Sequence, residues 1–325
     1  MGVSTSIWVI TCVVILGLFV FDFFAHVRVP HEPTFRESAF WSVVYIGVAV
    51  LFGVLVWWHW GGEYGGEFFA GYVTEKALSV DNLFVFTVIM ASFAVPRIYQ
   101  QKLLLMGIVM ALIMRAGFIA VGAAAINAFS WVFYAFGVFL IYTALKLARE
   151  SGHEADAEVE RESRLVRLVR RFVPTTDHYD DDRFLTRLDG RPAATPLLLA
   201  LVAIGFTDLL FALDSIPAIY GLTEEPYIVF TANAFALMGL LQLYFLIGGL
   251  LDRLVYLSVG LSIILGFIGV KLILHALHQN SLPFLNEGQH IDVPEISTAM
   301  SIGVIMAVLL VTTVASLIRT RGHAR

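Results

Sequence analysis

Apolar residues in this chain run in blocks separated by short polar breaks. The blocks lie at roughly 6–25, 39–59, 68–95, 103–126, 130–148, 195–220, 227–250, 254–276 and 297–318. Each is close to the length, about 20 residues, that a helix needs to cross the hydrocarbon layer. The pattern predicts an all-α, polytopic membrane protein with about nine transmembrane helices and no separate soluble domain. Residues 1–325 then form a single transmembrane unit. Trp57, Trp58 and Trp60 fall where the second helix should reach an interface, as aromatic belts do.

The polar breaks add orientation. One alternate set carries Arg28 and Arg36, then Arg97 and Lys102, then the long stretch from Arg149 to Arg191. It continues with Arg253 and ends with Arg319, Arg321 and Arg325. The other set, about 60–67, 127–129, 221–226 and 277–296, holds no Lys or Arg. The positive-inside rule then predicts an external amino terminus and a cytoplasmic carboxyl terminus in the cell membrane. A missed helix would scramble this agreement.

The 149–194 segment is unlike the rest. Glu154, Asp156, Glu158, Glu160 and Glu162 precede several arginines and then Asp180-Asp181-Asp182. It reads as a solvated cytoplasmic linker in which 154–172 can form a surface helix. A metal-sensing role for the Asp180 run is the sharper alternative.

Composition narrows the function. The chain is 58% hydrophobic and 14% charged, too apolar for a soluble domain, so its partner is the lipid bilayer. The net charge of −5 does not suggest nucleic acid. The lone Cys12 excludes an internal disulfide framework and a zinc–thiolate cluster. No phosphate-binding glycine motif and no nucleophile–base pair stands out. Neither an enzyme nor a prosthetic group is expected.

The chemistry sits in two stretches, Thr74-Glu75-Lys76-Ala77-Leu78-Ser79-Val80-Asp81-Asn82-Leu83 and Thr207-Asp208-Leu209-Leu210-Phe211-Ala212-Leu213-Asp214-Ser215-Ile216. In register, each has a threonine, an acid, a mostly apolar run, an aspartate and a small polar residue. Carboxylates inside apolar runs are costly and mark functional sites by default. The likeness extends outward. The 114–122 segment, with Arg115, matches 240–248, and Leu145-Lys146-Leu147 matches Val270-Lys271-Leu272. Helices 3–5 (68–148) therefore match helices 6–8 (195–276). Three is odd, so the second unit enters from the opposite side, as in inverted-repeat transporters with a midplane site.

Thr74 and Asp81, like Thr207 and Asp214, are nearly two helical turns apart and share a face. Glu75 and Asp208 lie off that face and flank it, while Asn82 and Ser215 add neutral oxygens. Pro217 and Gly221 invite a break in helix 6 that would free carbonyls. The resulting all-oxygen set of Asp81, Asp214, Glu75, Asp208, Asn82, Ser215, Thr74 and Thr207 suits Mn²⁺, Ca²⁺ or Mg²⁺. Accessory candidates are Asp22, which is i,i+4 to His26, together with Asn233 and Arg115. The structural alternatives are that Asp81 and Asp214 pair with Arg115 or cap a broken helix, and that Glu75 pairs with Lys76. Lys146 and Lys271 are expected to snorkel to opposite interfaces.

The run from Glu63-Tyr64-Gly65-Gly66-Glu67-Phe68-Phe69-Ala70-Gly71-Tyr72 through Phe84-Val85-Phe86 resembles the hallmark of TerC-family membrane proteins. So does Phe206-Thr207-Asp208 through Asp214-Ser215-Ile216-Pro217-Ala218. The resemblance spans nearly the whole chain. It implies kinship with LysE-type transporters, a link to tellurite resistance and manganese efflux, and Asp81 and Asp214 as central acids with Glu75 and Asp208 beside them. Leu241 departs from the family, which usually has arginine there. The expected function is export of a divalent ion, Mn²⁺ first and Ca²⁺ second, by proton antiport. The alternative is a membrane scaffold or metal-delivery partner in tellurium or metal stress.

Overall fold

The computed structural model describes residues 1–27, 32–129, 131–150, 174–176, 178–188, 191–247, 255–278 and 291–322. It is an all-α membrane architecture with one small hairpin. The helices are α1 (Thr5–Asp22, extended by a π turn at Phe23–Val27), α2 (Phe35–Trp60), α3 (Gly62–Ser92), α4 (Arg97–Ala128) and α5 (Val132–Glu150). After the hairpin follow α6 (Pro196–Tyr220), α7 (Pro226–Leu237), α8 (Leu240–Ile247), α9 (Leu257–His278) and α10 (Thr298–Gly322). Among the described residues eight spans are long and apolar enough to cross a membrane, α7 and α8 together making one of them. Helix α3 is long enough as well, but Glu75, Lys76 and Asp81 make it too polar to qualify by composition.

Local sequence explains the helix ends. Ser4 caps α1, its hydroxyl accepting from the Ile7 amide at 3.4 Å. A capping box of Thr34 and Glu37 starts α2 four residues before the apolar block, because two otherwise orphaned amides find acceptors there. Only Gly61, at φ 105°, separates α2 from α3. Its lack of a side chain permits that turn. Helix α3 begins at Gly62, not at 68 as the apolar pattern predicts, and the glycine pair is helical. A Cβ on Gly65 would stand 2.6 Å from that of Trp57, so glycine is what lets α3 lie close against α2.

The first and last helices are peripheral. On α1 only Thr11, Ile15, Phe19 and Asp22 are buried, a stripe at four- and three-residue spacing. Val9, Ile10, Val13, Leu16 and Val20 face outward, as a lipid-facing helix requires. At the centre, every residue of α7 from Tyr227 to Leu237 except Phe230 is buried. Helix α7 packs on α3, α4 on α6, and α5 along α9.

The break expected in helix 6 lies elsewhere. Helix α6 runs through Pro217 to Tyr220 and ends at Gly221. Proline deletes one amide donor, and here it does so in the last turn, where the helix is about to stop. The interrupted span is the next one. Met238 turns to ψ 137° and Gly239 to φ 72°, splitting α7 from α8. A Cβ on Gly239 would lie 2.9 Å from that of Tyr45.

The long polar segment also holds structure that its composition did not suggest. Its end folds into an antiparallel hairpin, β1 (Leu185–Leu188) with β2 (Arg191–Ala194). It is tied to the α3–α4 corner by Lys102 Nζ to Asp182 Oδ2 (2.6 Å) and by Tyr179 Oη to the Phe93 carbonyl (2.8 Å). Asp180 accepts from Thr186 Oγ1 at 2.6 Å. Asp182 thus docks this segment on α4, and Asp180 braces the hairpin from within. The surface helix expected at 154–172 lies outside the described residues.

Candidate functional site

Helices α3 and α6 run antiparallel. Thr223 Oγ1, just past α6, donates to Glu67 near the start of α3 at 2.5 Å, and Gly71 packs against Ile219. This register brings the first acid of each motif to one point, with Arg115 of α4 between them. The Arg115 guanidinium grips Asp208 with both arms, Nε to Oδ2 and Nη2 to Oδ1, each at 3.0 Å. Nη1 donates to Glu75 Oε1, to Asn233 Oδ1 at 2.9 Å and to Ser215 Oγ at 3.1 Å. Ser79 Oγ lies 3.4 Å from Glu75 Oε1. Arg115, Glu75 and Asn233 are all 0% exposed, so the knot is closed to bulk solvent.

Its polar accounting does not close. Two carboxylates against one guanidinium leave a formal charge of −1. Glu75 Oε2 and Asn233 Nδ2 are buried there without a partner, as is Thr74 Oγ1 next to Glu75 in sequence. Buried polar groups in native proteins are paired as a rule, and exceptions call for a reason.

The second acid of each motif goes elsewhere. Asp81 accepts from Ser258 of α9 at 3.4 Å, and Asp214 from Thr143 of α5 at 3.1 Å. Neither pairs with Arg115, and Glu75 does not pair with Lys76. Six residues advance about 9 Å along a helix and turn to a different face. Because α3 and α6 are antiparallel, Asp81 and Asp214 are displaced from the knot toward opposite membrane faces. Among the described residues no three His, Cys, Asp or Glu side chains form a metal-holding group. The eight predicted ligands therefore divide. Glu75, Asp208 and Ser215 meet at Arg115, with Thr74 beside Glu75 in sequence. Asp81 and Asp214 stand apart, and Asn82 and Thr207 are buried nearby in sequence. Of the accessory residues, Arg115 and Asn233 belong to the knot. Asp22 instead accepts from Tyr45 Oη at 2.5 Å, between α1 and α2.

Lys76 has a role that sequence reasoning missed. Its ammonium donates to the carbonyls of Ala236 (2.9 Å) and Met238 (3.1 Å), groups that the α7–α8 break removes from helical pairing. The only sequence signal was a lysine inside an apolar run. Leu241, where a second arginine was expected, is packed in the apolar core.

Open cavities approach from both ends. One, of about 600 Å³, lies at the start of α3 and is lined by Glu63, Glu67, Glu224, Glu225, Glu295 and Lys271. His275 Nε2 is 2.6 Å from Glu224 there. The other, of about 500 Å³, lies at the far end of α3, with Glu32, Thr87, Arg97, Gln100 and Tyr244 in its wall. Glu75 stands between them on α3, about 12 Å from Glu67 and about 18 Å from Thr87 along the axis.

Comparison with known proteins agrees with this architecture. The model of the integral membrane protein TerC family matches residues 60–324. An uncharacterized membrane protein of Mycobacterium tuberculosis is 53% identical over 326 residues, covering 100% of this chain and 82% of that protein. One from Myxococcus xanthus is 40% identical, covering 99% of this chain and 94% of its own length. The Escherichia coli K12 protein named "Putative membrane-bound redox modulator Alx" is 35% identical, covering 88% of this chain and 85% of its own length. No solved structure matches. With the family model spanning both acidic motifs and every helix from α3 onward, the chain belongs to the integral membrane protein TerC family.

Proposed function

We propose that this protein exports a hard divalent cation, Mn²⁺ in the first instance, across the cell membrane. The observation that carries this reading is the buried meeting of Glu75 and Asp208, one acid from each motif, among the oxygens of Ser215 and Asn233. An all-oxygen, carboxylate-bearing set suits hard divalent ions. The cavities at the two ends of α3 supply aqueous approaches, and the buried knot between them supplies the barrier that alternating access needs. The helix pairings (α3 on α7, α4 on α6, α5 on α9) are those an exchange of two inverted three-helix units would produce, which supports the transporter reading.

Asp81 and Asp214, displaced toward opposite faces, serve as relay carboxylates on the way in and out. Export works against the membrane potential, about 2.3 kcal/mol per charge per 100 mV, hence about 4.6 kcal/mol for a divalent ion. A coupled ion is therefore needed, and inward protons meet the requirement. The orientation proposed has the amino terminus outside and the carboxyl terminus in the cytoplasm.

The test is Mn²⁺ flux in proteoliposomes under an imposed proton gradient. Mn²⁺ movement against its gradient, driven by opposing proton flow, is the expected result. Purified protein that binds Mn²⁺ without moving it would instead favour the scaffold or metal-delivery reading.

A further inference from the structure

Arg115 is a puzzle for any reading in which Glu75 and Asp208 hold a metal. Its guanidinium already uses both Asp208 oxygens and Glu75 Oε1. What remains unpartnered at the knot is Glu75 Oε2 on the acceptor side, with Asn233 Nδ2 as a donor. One unused oxygen cannot satisfy an ion that takes six or more at little over 2 Å. Metal and guanidinium therefore compete for the same oxygens.

Charge gives the same answer. With Arg115 seated the knot carries −1. A divalent ion added beside the guanidinium would make it +1, whereas an ion that replaces the guanidinium makes it 0. The neutral arrangement is favoured once the evicted guanidinium has swung out to solvent, because a net charge left in the buried site has no water to screen it. Exclusion by shape and exclusion by charge thus coincide.

We infer that Arg115 is a tethered competitor of the cargo: its guanidinium occupies the Glu75–Asp208 cage when no metal is bound and leaves when metal arrives. This rests on the proposed metal export. The device solves a problem of the empty carrier. Two bare carboxylates in a buried knot would hold the transporter open to water, or would retain the metal too tightly to release it. A covalently attached cation keeps the empty site nearly neutral and displaces cargo without diffusing away. It also lowers apparent affinity, because binding must first evict the arginine. Leu241 fits this assignment: the equivalent position in the second unit carries no charge and is packed in the apolar core, so one cage has one tethered cation.

The experiment compares purified full-length wild type with Arg115→Gln, both prepared in Mn²⁺-containing buffer that is then exchanged away. The readings are Mn²⁺ binding by calorimetry, Mn²⁺-induced thermal stabilisation, and flux in proteoliposomes. Removing a competing charge in direct contact should tighten Mn²⁺ binding about tenfold or more. The variant should gain more thermal stability from Mn²⁺ than wild type does, and its flux should fall because release is slowed. Free guanidinium ion added to Arg115→Ala should weaken Mn²⁺ binding and restore part of the flux. Equal or weaker Mn²⁺ binding by a folded Arg115→Gln overturns the inference.

A second measurement does not depend on the variants folding. In a wild-type structure determined at saturating Mn²⁺, the guanidinium should have left Asp208. Bound Mn²⁺ with the two-armed Arg115–Asp208 contact intact would equally overturn the proposal. Wild type that neither binds nor moves Mn²⁺ would instead defeat the export reading itself, a distinguishable failure.

Discussion

Glu75→Gln should be tolerated where its partners are not, and the reason is the charge count of the knot. The wild-type trio of Arg115, Glu75 and Asp208 carries −1 in a site that is almost fully enclosed. Glu75→Gln brings it to 0. The amide oxygen can still accept from Arg115 Nη1, so a charge-assisted bond becomes a neutral acceptor bond and an uncompensated charge disappears. These changes oppose each other, and the net effect should stay within about 1 kcal/mol. Asp208→Asn also gives a neutral knot, but at a geometric cost. Both Asp208 oxygens accept from Arg115 at 3.0 Å, and an amide nitrogen in one position would face an N–H. That variant should be about 1.5–3 kcal/mol worse than Glu75→Gln. Arg115→Gln leaves two carboxylates unopposed and, in metal-free buffer, should cost about 3–5 kcal/mol. The order is Arg115→Gln, then Asp208→Asn, then Glu75→Gln, read as unfolding free energies by denaturant titration of detergent-solubilised protein with metal removed. A Glu75→Gln variant as unstable as Asp208→Asn would refute the charge accounting.

Other outcomes follow from the same geometry. Asp81→Asn and Asp214→Asn each remove a carboxylate with its own hydroxyl partner on a different helix, so their stability effects should add to within about 0.5 kcal/mol, whereas Glu75→Gln with Asp208→Asn should not. A double-mutant cycle with clear coupling between Asp81 and Asp214 would show that they share a site after all. Lys76→Met strips the ammonium from the Ala236 and Met238 carbonyls, and faster amide hydrogen exchange confined to 236–242 should report a loosened α7–α8 break. Unchanged exchange there would mean that the break does not depend on Lys76. Reporters fused after Arg325 or within 155–175 should read as cytoplasmic and one within 280–292 as external; reversal at either site would overturn the proposed orientation.

Much of this protein was legible in the order of its residues. Apolar block length determines that helices cross the bilayer, because in hydrocarbon a backbone must satisfy its own hydrogen bonds. The cost of burying a carboxylate likewise singles out the two acidic motifs without any coordinates. What periodicity cannot say is which neighbour a helix face meets. The family resemblance implied Asp81 and Asp214 as the central acids, and the spacing put Glu75 and Asp208 to the side of their helix face. The fold turns Glu75 and Asp208 toward Arg115 on α4, and Asp81 and Asp214 toward hydroxyls on α9 and α5. The broken helix shows the same division. Pro217 is a visible breaker, yet it falls in a last turn where one missing amide matters little. The interruption at Met238–Gly239 depends on contacts from distant segments, the Tyr45 side chain against Gly239 and the Lys76 ammonium on the freed carbonyls. A helix breaks in the membrane where something else can take its hydrogen bonds, and only the tertiary structure decides where that is.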